Sequence, residues 1–414
     1  MKRTSVTLSA ALMLSVSVIA AQAEDLVVFQ NWSSPSEVAA LNVLKDAVAL
    51  KGINWIDITI PHDTGSNVTL MNLVAGQQPP NIFIENSADV YRDLSKMGLG
   101  LDLTQALTDS GALAHYPEVV RASITVDGEV RKFPLGVHID GMLYYNLDVA
   151  AKAGVDPKAW TSLDQMYADF DKIRAAGFQP LAVGAQQWQI GYLTHAMIAA
   201  VGGQGVYNKI YGEEPDSSAL DSAEVRTAFE WLRKFQQQAD EGSVNRDWNM
   251  TTNSVIAGQA LMQIHGDWMK GEWRAAGKEA GKDFGCLQIP GAMAVPVTVD
   301  SWGALGGQSA EKTAAEILFA QTVADAAVNA AFAIVKGATP VRNDAPTEGL
   351  DACAMKVLDI LKDSSMQVRN PHAMVDADWG NAIWEVAFNY WSDPAMTTDA
   401  AVAELHKQFE TILE

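Results

Sequence analysis

Cysteine is almost missing from this chain: two occur in 414 residues, Cys286 and Cys353. That count excludes four-cysteine metal sites and cysteine-rich scaffolds. Basic residues are also scarce, 29 Lys and Arg against 50 Asp and Glu, for a formal net charge of −21. So acidic a surface repels phosphate backbones and anionic lipid heads, which excludes general nucleic-acid and membrane-surface binding. Catalytic signatures are missing too: no Gly-x-Ser-x-Gly, no His-Glu-x-x-His, no phosphate-binding loop and no Gly-x-Gly-x-x-Gly. The seven histidines never pair at metal-ligand spacing. No catalytic residue, metal site or cofactor is therefore assigned. A carboxylate pair of a glycoside hydrolase stays open, because 50 acids always offer candidates.

No apolar run of about 20 residues follows the N-terminus, so the mature chain is expected to be soluble. The start itself is different. Met1-Lys2-Arg3-Thr4 is basic, an apolar run extends from about Val6 to Ala20, and Ala21-Gln22-Ala23 closes it. This is the form of a secretory signal peptide spanning residues 1–23 and cleaved after Ala23, which predicts a periplasmic protein. No cysteine follows that site, so no lipid anchor is expected. In an exported chain Cys286 and Cys353 can form a disulfide, or stay as two buried thiols; spacing alone does not decide.

With 48% apolar and 19% charged residues the composition is globular, and the length suits two or three domains. Asp25-Leu26-Val27-Val28-Phe29-Gln30 reads as a buried strand, followed by polar Asn31 to Ser36 and a helix from about Glu37 to Leu50. Trp55 to Ile60 alternates at period two, a second strand, and Ile82-Phe83-Ile84 is a third. The β-loop-α repetition predicts α/β layering on a largely parallel sheet. Ligands of such sheets sit at the loops after the strands, here Asn31–Ser36, Pro61–Ser66 and Glu85–Ser87. Further on, Ser162-Leu163-Asp164-Gln165 and Asp221-Ser222-Ala223-Glu224 are helix caps. Val225, Phe229, Leu232 and Phe235 then share one helix face. Strands return at Ala260–His265 and Val297–Leu305, and Glu311 to Glu414 is almost wholly helical in pattern. Two lobes follow, with the chain crossing between them more than once.

Tryptophan is abundant, with twelve residues. Trp32, Trp188, Trp248, Trp268, Trp302 and Trp379 fall in or beside polar sequence. Any one of them alone is more often a core residue. Six together point to a carbohydrate site, where aromatic faces stack on sugar C–H faces and polar groups bond the hydroxyls. Isolated histidines such as His138 and His372 are more often hydrogen-bonded structural groups than ligands; both are kept as candidates.

Several stretches carry a family resemblance. Arg246-Asp247-Trp248-Asn249 is followed by Val255 to Glu272, ending in Gly266-Asp267-Trp268-Met269-Lys270-Gly271-Glu272. Trp32-Ser33 with Glu37, Gln187-Trp188-Gln189, Val299-Asp300-Ser301, and Lys336-Gly337 before Pro340-Val341-Arg342 add to it. Across the whole mature chain the sequence resembles the extracytoplasmic sugar-binding proteins of ABC transporters, most of all their glucose-binding branch. The resemblance implies a two-lobed periplasmic-binding-protein fold of α/β class, with a hinge and a helix-rich second lobe. The first lobe would comprise residues 24–133 and 285–332, and the second 134–284 and 333–414. It implies sugar contacts by Trp32, Glu37, Trp268, Asp300, Lys336 and His372, and a Cys286–Cys353 disulfide. The partners implied are a small sugar and, transiently, a membrane ABC permease, with the protein itself a monomer and not an enzyme.

The first lobe departs from the glucose-binding pattern. Asn31 replaces the first of two adjacent tryptophans. His62-Asp63-Thr64-Gly65 replaces a glycine-rich loop, and Glu85 or Asn86 stands where relatives carry a lysine. His62, Asp63 and Asn86 therefore join Trp188 and Trp248 as candidate ligand contacts, and specificity is expected to differ from simple glucose. Two rival readings remain: a binding protein of the same fold for a non-sugar or anionic solute, left open by Arg342 and Lys336, and an exported glycoside hydrolase.

Overall fold

The apolar run from Leu26 to Phe29 forms β1 (Glu24–Gln30) in the computed structural model, which describes residues 24–61, 64 and 66–414. The expected signal peptide lies outside the described residues, as do His62 and Asp63. Strand β1 pairs in parallel with β2 (Ile53–Thr59) and β3 (Ile82–Ile84). Helices Pro35–Ala49 and Ser66–Ala75 make the returns. The first of these starts two residues earlier than the sequence suggested. Ser34 caps it, and Glu37 reaches back to complete a capping box.

After a small hairpin of β4 (Thr125–Val126) and β5 (Glu129–Val130), the chain lays down β6 (Lys132–Ile139), β7 (Met142–Asn146), β8 (Gln179–Leu181) and β9 (Ala260–His265). Strands β10 (Phe284–Gln288), β11 (Val295–Ala304) and β12 (Gln367–Arg369) complete the set. Six of them form one sheet in the order β12-β11-β3-β1-β2, with β6 along the other edge of β11. Four form a second sheet, β10-β7-β9-β8. The expectation of a largely parallel sheet holds for β2-β1-β3 and β11-β12, but β11 runs antiparallel to both β3 and β6. The reason is topological: β11 enters the larger sheet directly from β10 of the smaller one. Strand β10 therefore pairs in the four-stranded sheet, and β12 in the six-stranded one.

The chain passes between the sheets at Asp140-Gly141, at residues 289–294, and at residues 370–376, which lead from β12 to helix Ala377–Ser392. One buried carboxylate ties the three passages. Asp140 accepts from Thr298 Oγ1 at 2.8 Å, Asn370 Nδ2 at 3.2 Å and His195 Nε2 at 3.0 Å. Its own N–H donates to the Pro296 carbonyl. A buried carboxylate is tolerated inside a protein when several donors bond it, as they do here.

Helices Gln187–Tyr211, Ala223–Gln236, Ala377–Ser392 and Thr398–Leu413 pack beside the smaller sheet, sharing one apolar core. Val225, Phe229, Leu232 and Phe235 are all buried there, as their spacing predicts. Each contributes about 1.5–3 kcal/mol by leaving water. Cys286 of β10 and Cys353 of helix Ala352–Ile360 are joined as a disulfide. Among the described residues no single helix is long and apolar enough to cross a membrane.

Candidate functional site

A cavity of about 1040 Å³ opens between the two lobes. The three strand-end loops read from the sequence form one wall, with Asn31 and Trp32, then Thr64 and Ser66, then Glu85, Asn86 and Ser87. Trp188 and Tyr192 from the start of helix Gln187–Tyr211, with Trp248, Trp268 and Trp384, form the other. Thr298, Asp300, Lys336 and His372 also line it.

Asp300 owes its position to a bulge. The pairing of β11 with β6 shifts register between Asp300 and Ser301, so that Asp300 is partly exposed on an otherwise buried strand. Its Oδ2 lies 3.1 Å from His138 Nε2 and 3.8 Å from Lys336 Nζ. Burial pushes the Asp300 carboxyl up, but the charges of His138 and Lys336 outweigh it and hold the group below the usual carboxylate value. Lys336 ends helix Ala326–Lys336, where the helix dipole favours a cation. Its ammonium sits 3.7 Å from Glu37 Oε1 and 4.8 Å from the centre of the Trp32 ring. Glu37 Oε2 in turn accepts the Ser33 and Ser34 N–H groups, so its capping role fixes where the carboxylate points.

The Gly266–Glu272 segment positions much of the site. Asp267 Oδ1 is 2.5 Å from His138 Nδ1. Trp268 stands edge-to-face against Tyr192 and His138. Glu272 Oε1 accepts from the Ser36 N–H at 3.1 Å and hydroxyl at 2.6 Å, satisfying a donor in the first turn of helix Pro35–Ala49. Gly337 has φ +83°, and a Cβ there would lie 2.4 Å from the Gly271 nitrogen. The Lys336-Gly337 corner therefore closes onto this segment only because Gly337 and Gly271 both lack a Cβ.

Behind the third loop, Lys132 Nζ donates to the Asn86 carbonyl at 2.6 Å, and Ser301 donates to the Asn86 side chain. Burial lowers the Lys132 ammonium to about 8, against the pull of Glu85. Burial raises Glu85 although the Ser87 and Asn86 N–H groups bond it. The cation expected at the end of β3 in the glucose-binding pattern is thus absent from the loop, while β6 brings one in from behind.

Of the sequence candidates, Trp32, Glu37, Asn86, Trp188, Trp248, Trp268, Asp300, Lys336 and His372 border the cavity. His138 does not. It is fully buried behind Asp300 and Trp268, which corrects its reading as a ligand contact. Trp302 and Trp379 are also core residues. Trp302 belongs to β11 and packs against Trp32 and Trp55. Trp379 donates its indole N–H to the Ile210 carbonyl. Their polar neighbours in sequence serve the opposite face or a helix start. Arg342 pairs with Asp344 at 2.7 Å and does not border the cavity. The sequence reading missed Tyr192 and the helix face Asn381, Trp384, Glu385 and Phe388. The latter four recur at i, i+3, i+4 and i+7, a mixed polar and aromatic stripe that could have been noticed. His372, perpendicular to Trp384 at 4.4 Å, is half-buried, and desolvation lowers its imidazole to about 4.

Two α/β lobes enclosing an indole-walled, carboxylate-lined cleft define a receptor for a small polar solute. The chain belongs to the bacterial extracellular solute-binding proteins, whose family profile matches residues 57–355. A "probable sugar-binding periplasmic protein" of Mesorhizobium japonicum is 30% identical over 400 residues, covering 94% of each chain. A protein of the same description from Brucella suis is 28% identical, covering 94% of this chain and 89% of that one. Among solved structures, a chitin oligosaccharide binding protein superposes with a TM-score of 0.80 at 18% identity, covering 93% of this chain and 98% of the other. The solute receptor AcbH, described as exclusive for β-D-galactopyranose, gives 0.79 at 17%, covering 95% and 100%. At those identities the likeness is one of fold.

Proposed function

We propose that this chain captures an uncharged sugar outside the cytoplasm and delivers it to an ABC permease. The observation that carries this is the cavity itself: Trp188, Tyr192, Trp268 and Trp384 offer aromatic surface, while Asp300, Asn86 and Glu37 offer acceptors and amide groups. That pairing suits a ring with apolar C–H faces and an equatorial rim of hydroxyls. The sugar-binding names of the relatives support it. Anionic solutes fit poorly. The only basic side chain along the described lining, apart from His372, is Lys336, and its ammonium already lies between Glu37 and Asp300. Glu85, Asp247 and Glu385 add further acidic groups. A hydrolase is disfavoured because the relatives are named as sugar-binding proteins.

In this reading the signal peptide is removed after Ala23 and the mature chain acts as a monomer. The lobes turn about the three passages joined by Asp140, and the sugar favours the closed arrangement. Asn31, Glu85 and Asn86 replace groups of the glucose-binding pattern on one wall, so the preferred sugar differs from glucose. A thermal-shift screen tests the proposal with neutral mono- and oligosaccharides, amino sugars, uronates and sugar phosphates. A ligand bound only by the folded state raises the melting temperature, by an amount set by its concentration relative to Kd. Stabilisation by neutral sugars, with glucose not the strongest, is the expected result. Stabilisation by uronates or sugar phosphates alone refutes it.

A further inference from the structure

His138 touches Asp300 and Trp268, which face the cavity from opposite lobes. From β6 its ring meets Asp300 of β11 through Nε2 at 3.1 Å. Through Nδ1 it meets Asp267, which follows β9 in the smaller sheet, at 2.5 Å. Its face is met edge-on by Trp268, centres 5.4 Å apart. The imidazole is fully buried, so solvent does not stand in for either carboxylate. Both ring nitrogens point at carboxylates, and only the doubly protonated imidazolium donates to both at once. The charged groups around it are Asp267, Asp300 and, through Asp300, Lys336 with Glu37.

Resting on the reading of the cavity as a sugar site, we propose that His138, anchored by Asp267, is a positioning residue that aims the Asp300 carboxylate and the Trp268 ring at the sugar without touching it. With His138 occupying Asp300 Oδ2, the carboxylate is held in one rotamer, and its remaining lone pairs are directed elsewhere. A group oriented before binding spends less free energy on being ordered by the ligand. Because Asp267 and Trp268 are consecutive, the ion pair also fixes the indole. A positive charge on His138 agrees with the arrangement: burial opposes it, but Asp267 and Asp300 raise the imidazole to about 9.

The test uses the mature full chain and the neutral sugar that most stabilises the wild type. Binding is measured by calorimetry for wild type, His138→Asn, Asp267→Asn, Asp300→Asn and the His138→Asn/Asp300→Asn double variant, from pH 6 to 10. His138→Asn should weaken binding roughly ten- to a hundredfold, the cost of one mispositioned buried acceptor. The double variant should bind no worse than Asp300→Asn alone, since the histidine acts through the carboxylate. Wild-type affinity should fall as the pH passes about 9, a step that His138→Asn lacks. Lys132 titrates in both proteins and cancels in that comparison. If His138→Asn fails to fold, Asp267→Asn carries the same expectation, including the weakened Kd. Full affinity in the folded single variants, or additive losses in the double variant, overturns the positioning role while leaving the sugar site intact. A wild type that binds no neutral sugar overturns both.

Discussion

Trp268 covers Gly266 so closely that a Cβ on that glycine would lie 2.1 Å from the indole ring. The ring is only 8% exposed, and it borders the cavity. Two substitutions therefore probe one wall from different sides. Trp268→Ala removes the aromatic surface, and a truncation of that kind at a binding centre costs about 2–4 kcal/mol. In Kd this is roughly thirty- to several-hundredfold. Because the ring is mostly buried, the variant also loses up to about 3–5 kcal/mol of folding stability. Gly266→Ala leaves every ligand-facing atom in the sequence but forces the indole aside. Its effect on binding should be smaller, about tenfold, since part of the stacking survives a shift. Calorimetry with the sugar identified by thermal shift gives both Kd values, and circular dichroism with urea unfolding reports the fold. A native Trp268→Ala protein that binds within about twofold of wild type would refute the assignment of Trp268 to the ligand wall. An unaffected Gly266→Ala would refute the claim that its position matters.

Asp300→Asn keeps the shape and removes a charge-assisted acceptor, so binding should weaken by about 1.5–3 kcal/mol, measured by the same titration. Thiol titration of the unfolded, unreduced protein should find no free thiol, and two equivalents would contradict the Cys286–Cys353 bridge. Removing that bridge by Cys286→Ser and Cys353→Ser together should lower unfolding free energy by about 2–4 kcal/mol. Stability should also depend on pH in opposite senses at two histidines. His138 is raised above its unfolded value of 6.5 to about 9, so its contribution is complete below 6.5 and lost as pH rises through 9. His372 is lowered to about 4, so its environment favours folding above 6.5, and that advantage is lost as pH falls toward 4. Urea unfolding should show His138→Asn flattening the alkaline decline and His372→Asn the acid one; profiles unchanged by these variants would contradict both assignments.

What the sequence revealed was governed by distance along the chain. Helix starts at Ser162 and Ser222 were legible because cap and capped N–H groups lie within three residues. The loops after β1 and β3 were legible because a buried strand must end in a polar turn where the sheet edge opens. Trp268 and Trp302 could not be separated locally, since both follow a polar residue. What distinguishes them is that Trp268 begins a helix beyond a strand, whereas Trp302 lies within a strand just past a bulge. His138 shows the limit most clearly. Its partners are 129 and 162 residues away, and no local pattern distinguishes it from any other histidine on a buried strand. The resemblance in the Gly266–Glu272 segment drew attention to the right place. That its acids serve His138 and Ser36, leaving only Trp268 to the cavity, required the packing.

The Asp140 junction sits beside the cavity floor. Thr298 belongs to both, and His372 follows Asn370 by two residues. For lobes that swing about this junction, the ligand is held at the fulcrum and the lobe tips are the ends of long arms. Helix Gln187–Tyr211 starts at the cavity and breaks at Gly203, where φ is +62°, so the straight part, residues 187–202, runs roughly 24 Å at about 1.5 Å per residue. A turn of about 10° would carry a point roughly 24 Å from the fulcrum through about 4 Å. On the proposed reading, a small settling of a sugar on the floor would be geared up into a stroke that a membrane partner could register. The gain is set by arm length, so different sugars that engage the same floor would produce the same stroke, and the transporter would read occupancy without reading identity.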